Sequence, residues 1–151
     1  MKKPLIVTVG KNDIIHISIV SDLLENKTES LAVCIEEATK LISSMHTANN
    51  KKVKILVDLS KFTGEYAIKS FTDMINFATD TKPYVEKSAV FSGLEKGRMA
   101  AEMVITLSRR DDIKVFNNEE EAMAWLESPK NNHNSQSTKK RAYASFFVQN
   151  Y

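Results

Sequence analysis

The segment from residue 54 to residue 65, with the sequence KILVDLSKFTGE, constrains the fold more than any other part of the chain. Its apolar residues 55–57 predict a strand, and a polar loop that contains Gly64 connects this strand to a helix predicted from about Glu65. A strand followed directly by a helix is the repeating unit of open α/β folds, which usually place binding sites where such strands end. We therefore expect an α/β protein with a functional edge near this loop.

The flanking segments extend this alternation of strands and helices. Residues 5–9 and 14–20 alternate apolar and polar side chains around the turn sequence GKND, which predicts an antiparallel hairpin with Ile15, Ile17 and Ile19 on one face. The order ββαβαβαβα predicts a single α/β domain with a mixed sheet and helices packed against it. The strands predicted after the hairpin are residues 53–59, 85–91 and 113–116.

Four amphipathic helices are predicted from apolar residues at helical spacing, the first of them with Asn26 or Thr28 as its N-cap. The first two cover residues 28–46 and 65–79. The third runs from Gly97 to about Ser108. The fourth begins after its cap, Asn118, and Pro129 marks the end of the domain. The side chains expected to be buried on the second helix are Ile68, Phe71, Met74, Ile75 and Ala78. Those expected to be buried on the third helix are Met99, Met103, Val104 and Leu107.

The charge of the chain is divided between a nearly neutral body and a basic end. Residues 130–151 contain four basic residues and no acidic one, so the first 129 residues hold 17 basic and 19 acidic side chains, a balance of −2. This balance argues against nucleic-acid binding by the folded part. We expect a compact domain over residues 1–129 and a basic–aromatic tail that is disordered or docks on another surface.

Few residues of this chain suit metal or redox chemistry. Cys34 is the only cysteine, which excludes an intramolecular disulfide, and its apolar neighbours predict a small buried side chain. His16, His46 and His133 lie far apart in the sequence, so neither a metal site nor a cofactor is expected. No apolar run approaches the roughly 18 residues of a membrane-spanning helix, and no signal peptide follows the first lysines, so the expected location is cytoplasmic.

The element order, the VDLS sequence that leads into a helix, and the ending KVFNNEEEAMAWL together resemble the SpoIIAA-like branch of the STAS superfamily, which is named for sulfate transporters and anti-sigma-factor antagonists. The similarity covers most of residues 5–127. It implies a STAS-like domain with a regulatory function and with a phosphorylatable Ser or Thr in the loop after the DLS strand. The branch also shares features with lipid-carrying CRAL-TRIO domains, which implies an apolar ligand as the alternative.

In this chain the matching loop offers Ser60 and Thr63, because SKFTGE replaces the family's Asp-Ser-Ser-Gly pattern. Both residues are expected at the N-terminus of the following helix, where unpaired backbone N–H groups attract a phosphate or a partner's carboxylate. Phosphorylation would add about −1.5 to −2 charges and alter a partner surface. The alternative is that Ser60 or Thr63 only caps the helix, which contributes about 1 kcal/mol.

A second loop, residues 92–98, is expected beside the first one if the two preceding strands are parallel neighbours. The two loops would then form one edge that binds an anionic or polar ligand. The alternative is that the basic residues of this loop are simply solvated at a helix start. The residues of the expected ligand-binding edge are Asp58, Gly64, Ser92, Lys96 and Arg98, beside Ser60 and Thr63.

Two further features suggest apolar or membrane contacts. Methionines on the helices adapt to apolar ligands, so a pocket for a lipid or another apolar molecule is one hypothesis, and ordinary core packing is the other. Residues 139–148, KKRAYASFFV, combine basic and aromatic side chains and suit weak contact with an anionic membrane, or docking on the domain or on a second copy in a homodimer. The methionines concerned are Met45, Met74, Met99, Met103 and Met123.

No catalytic set is recognisable in the sequence. Nucleophilic chemistry needs a base within hydrogen-bond reach, and no His is expected near Ser60 or Ser92. The adjacent Asp111 and Asp112 are expected as turn residues. The leading hypothesis is a non-enzymatic regulatory domain that binds a protein partner through the 60–65 loop and the following helix. The alternative is a carrier or sensor of an apolar or amphipathic small molecule.

Overall fold

A computed structural model of the protein describes residues 3–129, which form a five-stranded sheet and four α-helices in the predicted order ββαβαβαβα. The basic–aromatic tail predicted at residues 130–151 lies outside the described residues. The strands are β1 (Leu5–Val9), β2 (Ile15–Ile19), β3 (Val53–Asp58), β4 (Val85–Phe91) and β5 (Ile113–Phe116). The helices are α1 (Thr28–Asn49), α2 (Ile68–Thr81), α3 (Glu95–Ser108) and α4 (Glu119–Glu127).

The sheet is mixed, as predicted, and its strands follow the chain order β1-β2-β3-β4-β5. β1 and β2 form the predicted antiparallel hairpin, in which Val7 lies opposite Ile17. All the other neighbours are parallel, so the carboxyl ends of β2 to β5 lie along one edge of the sheet. This edge is where α/β folds place their sites.

Helices cover both faces of the sheet. The first face carries the larger core, in which Ile15, Ile17 and Ile19 of the hairpin pack with buried residues of α1, α2 and α3. Cys34 is buried in this core, as predicted. The second face carries a smaller core beneath α4, where Ala122 is fully buried. The alternation of side chains in each strand supplies both cores from one sheet.

Helix α2 begins at Ile68, three residues later than predicted, because the preceding backbone pairs with another segment. Leu23 donates its N–H to the carbonyl of Glu65 at 3.0 Å and accepts the N–H of Ala67 at 2.7 Å, in a short parallel bridge opposite Tyr66. Extended pairing of this kind excludes helical geometry for the same residues. The prediction that Ile68 is buried is therefore wrong, since its side chain is 83% exposed.

Helix α3 turns a different face to the sheet from the one predicted. Its buried positions are the small residues Gly97, Ala100 and Ser108, and a Cβ added at Gly97 would lie 2.7 Å from the hydroxyl oxygen of Ser92. Three of the four apolar side chains that were expected to be buried are exposed instead, whereas Val104 is half-buried and lines a cavity between the helix and the sheet. The exposed fractions are 58% for Met99, 47% for Met103 and 56% for Leu107.

The helix ends show which polar side chains act as caps. Asn118 caps α4 as predicted, because its side-chain oxygen accepts the N–H of Glu121 at 2.9 Å. The expected caps of α1 are wrong, since this helix begins after Lys27 without a side-chain cap. The hydroxyl of Thr28 donates instead to the carbonyl of Glu25 at 3.1 Å.

Lys87, a buried residue of β4, fixes the end of α4 on the sheet. Its ammonium group donates to the carbonyl oxygens of Trp125 at 2.7 Å and Ser128 at 3.1 Å, which lie at the C-terminal end of α4. Burial lowers the pKa of Lys87, and the nearby charge of Lys54 lowers it further. The bonds lie at the strand-start edge, away from the loops discussed below.

Candidate functional site

The loops that follow β3 and β4 lie side by side at the carboxyl edge of the sheet. Asp58 and Phe91, the last residues of these strands, are paired, and the N–H of Leu59 donates to the carbonyl of Phe91 at 3.0 Å. A side chain added at Gly97 would lie 3.6 Å from the carbonyl oxygen of Phe62. The juxtaposition of the two loops expected from the sequence is therefore present.

The first loop is anchored on both sides of an exposed tip. Leu59 and Phe62 are buried in the larger core, and the N–H of Phe62 donates to the carbonyl of Leu59 at 3.0 Å. The carboxylate of Asp58 accepts the N–H of Ser60 at 2.8 Å, which closes a local turn. Ser60 and Lys61 remain exposed at the tip of a loop whose backbone is held in place.

Thr63 is bonded to Asp22, a residue that the sequence analysis did not identify. Its N–H and its hydroxyl both donate to the Asp22 carboxylate, at 2.7 and 2.5 Å. Asp22 comes 41 positions earlier, just after β2, and parallel pairing of β2 with β3 brings the ends of the two strands together. Asp22 could have been identified as a candidate because it follows the strand predicted at residues 14–20, where sites are expected in this kind of fold.

Neither Ser60 nor Thr63 caps a helix, which corrects the expected geometry. The N-cap position of α2 is Ala67, several residues further along the chain. The unpaired N–H groups and the positive end of that helix are therefore not presented to either hydroxyl. A phosphate or carboxylate at the loop tip would have to be bound by side chains and loop backbone.

Gly64 allows the first loop to pass against the start of α3. Its φ of 104° lies in a region that favours glycine, and an added Cβ would come within 2.6 Å of the Cβ of Lys96. The carboxylate of Glu65 lies 3.7 Å from the Lys96 ammonium group, with both side chains largely exposed. Such a surface ion pair contributes about 0–1 kcal/mol, so the glycine contact is the stronger constraint.

Two of the expected ligand-binding residues hold the second loop together instead. Ser92 is fully buried, and its hydroxyl oxygen accepts the N–H of Leu94 at 3.1 Å. Arg98 donates from Nη1 to the carbonyl of Ser92 at 2.9 Å. Lys96 is the more exposed of the two basic residues in this loop, since Arg98 is half-buried.

Exposed apolar side chains flank both loops. Ile68 follows the first loop as the first residue of α2, Leu94 lies in the second loop with 46% of its surface exposed, and Met99 follows one turn into α3. Single exposed apolar residues are common on protein surfaces. Here they lie in sequence next to an anchored loop with the exposed polar residues Ser60 and Lys61.

An apolar cavity of about 120 Å³ lies between the sheet and the helices α2 and α3. Its size approaches that of an engineered cavity of roughly 150 Å³ that binds benzene. The strands supply its floor and the two helices its walls. Representative lining residues are Ile17, Ile55 and Val90 on the sheet, and Phe71, Met74 and Ala101 on the helices.

Two polar side chains at this cavity, Arg110 and Thr81, are engaged with the protein. The guanidinium of Arg110 forms an ion pair with Asp112 and donates to the carbonyl of Ala78, and the hydroxyl of Thr81 donates to the carbonyl of Phe77 at 2.8 Å. The cavity therefore favours an apolar ligand over a charged one.

The methionines do not form a shared lining, contrary to one sequence-based hypothesis. Of the five, only Met74 lines the cavity, while Met45 packs against the larger core and Met123 against the smaller one. Met99 and Met103 are exposed. Branched aliphatic and aromatic side chains make up most of the lining.

Two further observations concern the chemistry of residues 3–129. Within this range, no three His, Cys, Asp or Glu side chains are grouped closely enough to hold a metal ion. None of the helices in the described part of the chain is long and apolar enough to cross a lipid bilayer.

The architecture defines the class of protein as an α/β domain with a hairpin, three further parallel strands and anchored loops at their carboxyl edge. The SpoIIAA-like family model matches residues 14–127, so the chain belongs to the SpoIIAA-like family. This match confirms the resemblance seen in the sequence.

Comparisons with individual proteins add information on the fold alone. No curated protein matches the sequence. An uncharacterized protein with a SpoIIAA-like fold from Shewanella loihica PV-4 is similar in structure, with a TM-score of 0.56 and 14% sequence identity over 81% of this chain and 91% of that one. This neighbour supports the fold.

Proposed function

We propose that this chain is a non-enzymatic, cytoplasmic regulatory domain that binds a protein partner through the loop after β3 and the first turn of α2. The observation that carries the proposal is the 83% exposure of Ile68 directly after an anchored loop. An exposed isoleucine beside polar residues can become the apolar centre of an interface with a polar rim. The anchors at Leu59, Phe62 and Asp22 fix the loop in advance, which reduces the ordering cost of binding.

If phosphorylation controls this surface, Ser60 is the better acceptor of the two candidate residues. Its side chain is exposed at the loop tip, whereas the hydroxyl of Thr63 already donates to the Asp22 carboxylate. A phosphate on Thr63 would lose that bond and be repelled by the same carboxylate. A phosphate on Ser60 would also lie near a carboxylate, that of Asp58, but this group bonds the Ser60 N–H and not its hydroxyl, and Lys61 next to it supplies a countercharge.

The Ile68→Ser substitution is expected to weaken partner binding about 30-fold, since an apolar residue at the centre of an interface contributes about 2 kcal/mol. Stability should change by less than about 0.5 kcal/mol because the side chain is already exposed. Partner capture from native lysate, quantified by mass spectrometry and followed by affinity measurement on the captured protein, tests this. Val33→Ser is the matched control, since Val33 is 57% exposed on α1. Equal capture by Ile68→Ser and the wild type would refute the proposed surface.

A second candidate function is supported by the cavity between the sheet, α2 and α3. Its volume of about 120 Å³ and its apolar lining suit a small apolar molecule, or the apolar end of an amphipathic one. This is the alternative that the resemblance to lipid-carrying domains implies. It is compatible with the first proposal, because a ligand in the cavity would contact Leu59 and Phe62, the anchors of the exposed loop.

Ala101→Leu is expected to remove any ligand that co-purifies with the protein, because the added carbon atoms fill the cavity from α3. The same change at the exposed Ala124 of α4 leaves the cavity intact and is the control. Each protein is purified from the cells in which it occurs naturally. Solvent extraction followed by mass spectrometry then measures the amount of apolar molecule bound per protein. A wild-type protein without a stoichiometric apolar molecule, or an Ala101→Leu variant that retains it, would rule out this function.

A further inference from the structure

The wall of the apolar cavity between the sheet, α2 and α3 includes a hydroxyl group that the protein leaves unbonded. Ser88 of β4 lines the cavity and is only 5% exposed. Its N–H donates to the carbonyl of Asp112 at 2.9 Å, but its hydroxyl forms no hydrogen bond within residues 3–129. Buried polar groups nearly always have a hydrogen-bond partner, so an unbonded hydroxyl at a cavity wall marks a place for a bound polar atom.

The register of the sheet places Ser88 in the half of the cavity that lies toward the strand starts. Ile55, Ser88 and Ile113 lie side by side across β3, β4 and β5, and all three line the cavity. Val57 and Val90 form the next pair on the same face, two residues or about 6.6 Å closer to the carboxyl edge. A molecule with one polar atom at Ser88 would therefore have its body against branched aliphatic side chains.

Two further polar side chains of the cavity wall, Thr81 and Arg110, are connected to the backbone around Ser88. The carbonyl of Ala78 accepts Nη1 of Arg110 at 2.6 Å, and the Thr81 hydroxyl lies 3.5 Å from the same oxygen. The ion-pair partner of Arg110 is Asp112, whose carbonyl accepts the N–H of Ser88. Because Asp112 balances the guanidinium charge, this end of the cavity is polar without a net charge. A ligand carboxylate would be repelled by the carboxylate of Asp112, so a neutral oxygen fits better.

The size of the cavity limits the ligand to a small molecule. Its volume of about 120 Å³ is slightly below that of the engineered cavity that binds benzene, so the apolar body is about as large as one six-membered ring. In a wall that is otherwise mostly apolar, a single hydroxyl provides a directional contact that orients the ligand. A molecule that leaves this hydroxyl unpaired loses affinity relative to one that bonds it.

We propose that Ser88 is the polar anchor of this cavity, and that the ligand is a small apolar molecule with one neutral hydroxyl or carbonyl oxygen. The proposal rests on the second candidate function, binding of an apolar molecule in the cavity, and adds the chemical class of that molecule. The Ser88 hydroxyl can accept from a ligand hydroxyl or donate to a ligand carbonyl, which is why both oxygen types fit.

Phenol and benzene, which differ by one hydroxyl group, are matched probes for this anchor. Each is titrated into full-length protein with ¹³C-labelled methionine methyl groups, where Met74 lines the cavity and Met45 of α1 is the reference signal. A cavity without a polar partner prefers benzene, because the phenol hydroxyl loses its hydration on entry. The wild type is expected to bind phenol at least as tightly as benzene. Ser88→Ala should weaken phenol binding about tenfold and change benzene binding by less than about twofold, since one buried hydrogen bond is lost.

Ser70→Ala is the matched control, since Ser70 of α2 is fully buried, its hydroxyl has no partner among residues 3–129, and it does not line the cavity. This variant should bind both probes as the wild type does. The proposal is overturned if the ratio of the phenol and benzene affinities is the same in Ser88→Ala and the wild type, or if benzoate binds more tightly than phenol. In either case, binding of benzene leaves the second candidate function in place. If neither phenol nor benzene shifts the Met74 signal, that function fails together with the proposed anchor.

Discussion

The Asp112→Ala substitution is expected to lower the free energy of unfolding by about 3–5 kcal/mol, because it leaves a buried guanidinium without its counterion. The side chain of Arg110 is only 2% exposed. Its Nε and Nη2 donate to the two carboxylate oxygens of Asp112 at 2.6 and 2.8 Å, and its Nη1 donates to the carbonyl of Ala78 at 2.6 Å. Urea unfolding followed by circular dichroism measures the change.

The neighbouring Asp111→Ala substitution is the matched control, since Asp111 is exposed. Its effect should stay within about 0.5 kcal/mol. Adding Arg110→Met to Asp112→Ala should recover part of the lost stability, because no unpaired charge then remains buried. Equal unfolding midpoints for Asp111→Ala and Asp112→Ala would contradict the assigned role of the ion pair.

This ion pair illustrates what could not be predicted from the sequence. Asp111 and Asp112 were both expected as turn residues, but only Asp112 is partly buried and paired with Arg110. The turn brings Arg110 back against α2, where it also lines the apolar cavity. The cavity depends on side chains from four strands and two helices, and the convergence of such distant residues leaves no local pattern in one sequence.

The strands and the element order were predictable because their signals are local. The hairpin alternates apolar and polar residues around a turn sequence, and β3 and β4 are apolar runs of strand length bounded by polar segments. Helix faces were less predictable. In α3 the small residues Gly97 and Ala100 are buried while Met103 is exposed, and Gly97 lies where a Cβ would meet the Ser92 hydroxyl of the neighbouring loop.

The position of the candidate site was also predictable, but not its internal geometry. Parallel strands place their following loops at one edge, which was enough to bring Gly64 and Lys96 together in the prediction. No local pattern indicates that residues 65–67 pair with Leu23 and delay the start of α2. For that reason the helix N-terminus expected at Ser60 and Thr63 lies elsewhere.

Gly64→Ala is expected to lower the free energy of unfolding by about 3 kcal/mol, combining strain at a positive φ with overpacking against α3, each about 1–3 kcal/mol. The added Cβ would lie 2.6 Å from the Cβ of Lys96 and 3.3 Å from its backbone carbonyl carbon. Neither atom belongs to the mobile end of a side chain, so relief requires the loop backbone to move. Because that loop carries Ser60 and leads to Ile68, partner capture should fall in the same variant.

Gly93→Ala is the control that separates the effect of the Gly64–Lys96 contact from the general effect of replacing a glycine with alanine. A Cβ added at Gly93 meets no atom within 4 Å, so Gly93→Ala should leave both the unfolding midpoint and partner capture near the wild-type values. Urea midpoints and capture yields of the two variants, measured side by side, give the comparison. If Gly64→Ala unfolds at the same urea concentration as Gly93→Ala, the first loop does not depend on its contact with α3. If Gly64→Ala is destabilised but captures partner normally, the loop is structural and the binding surface lies elsewhere.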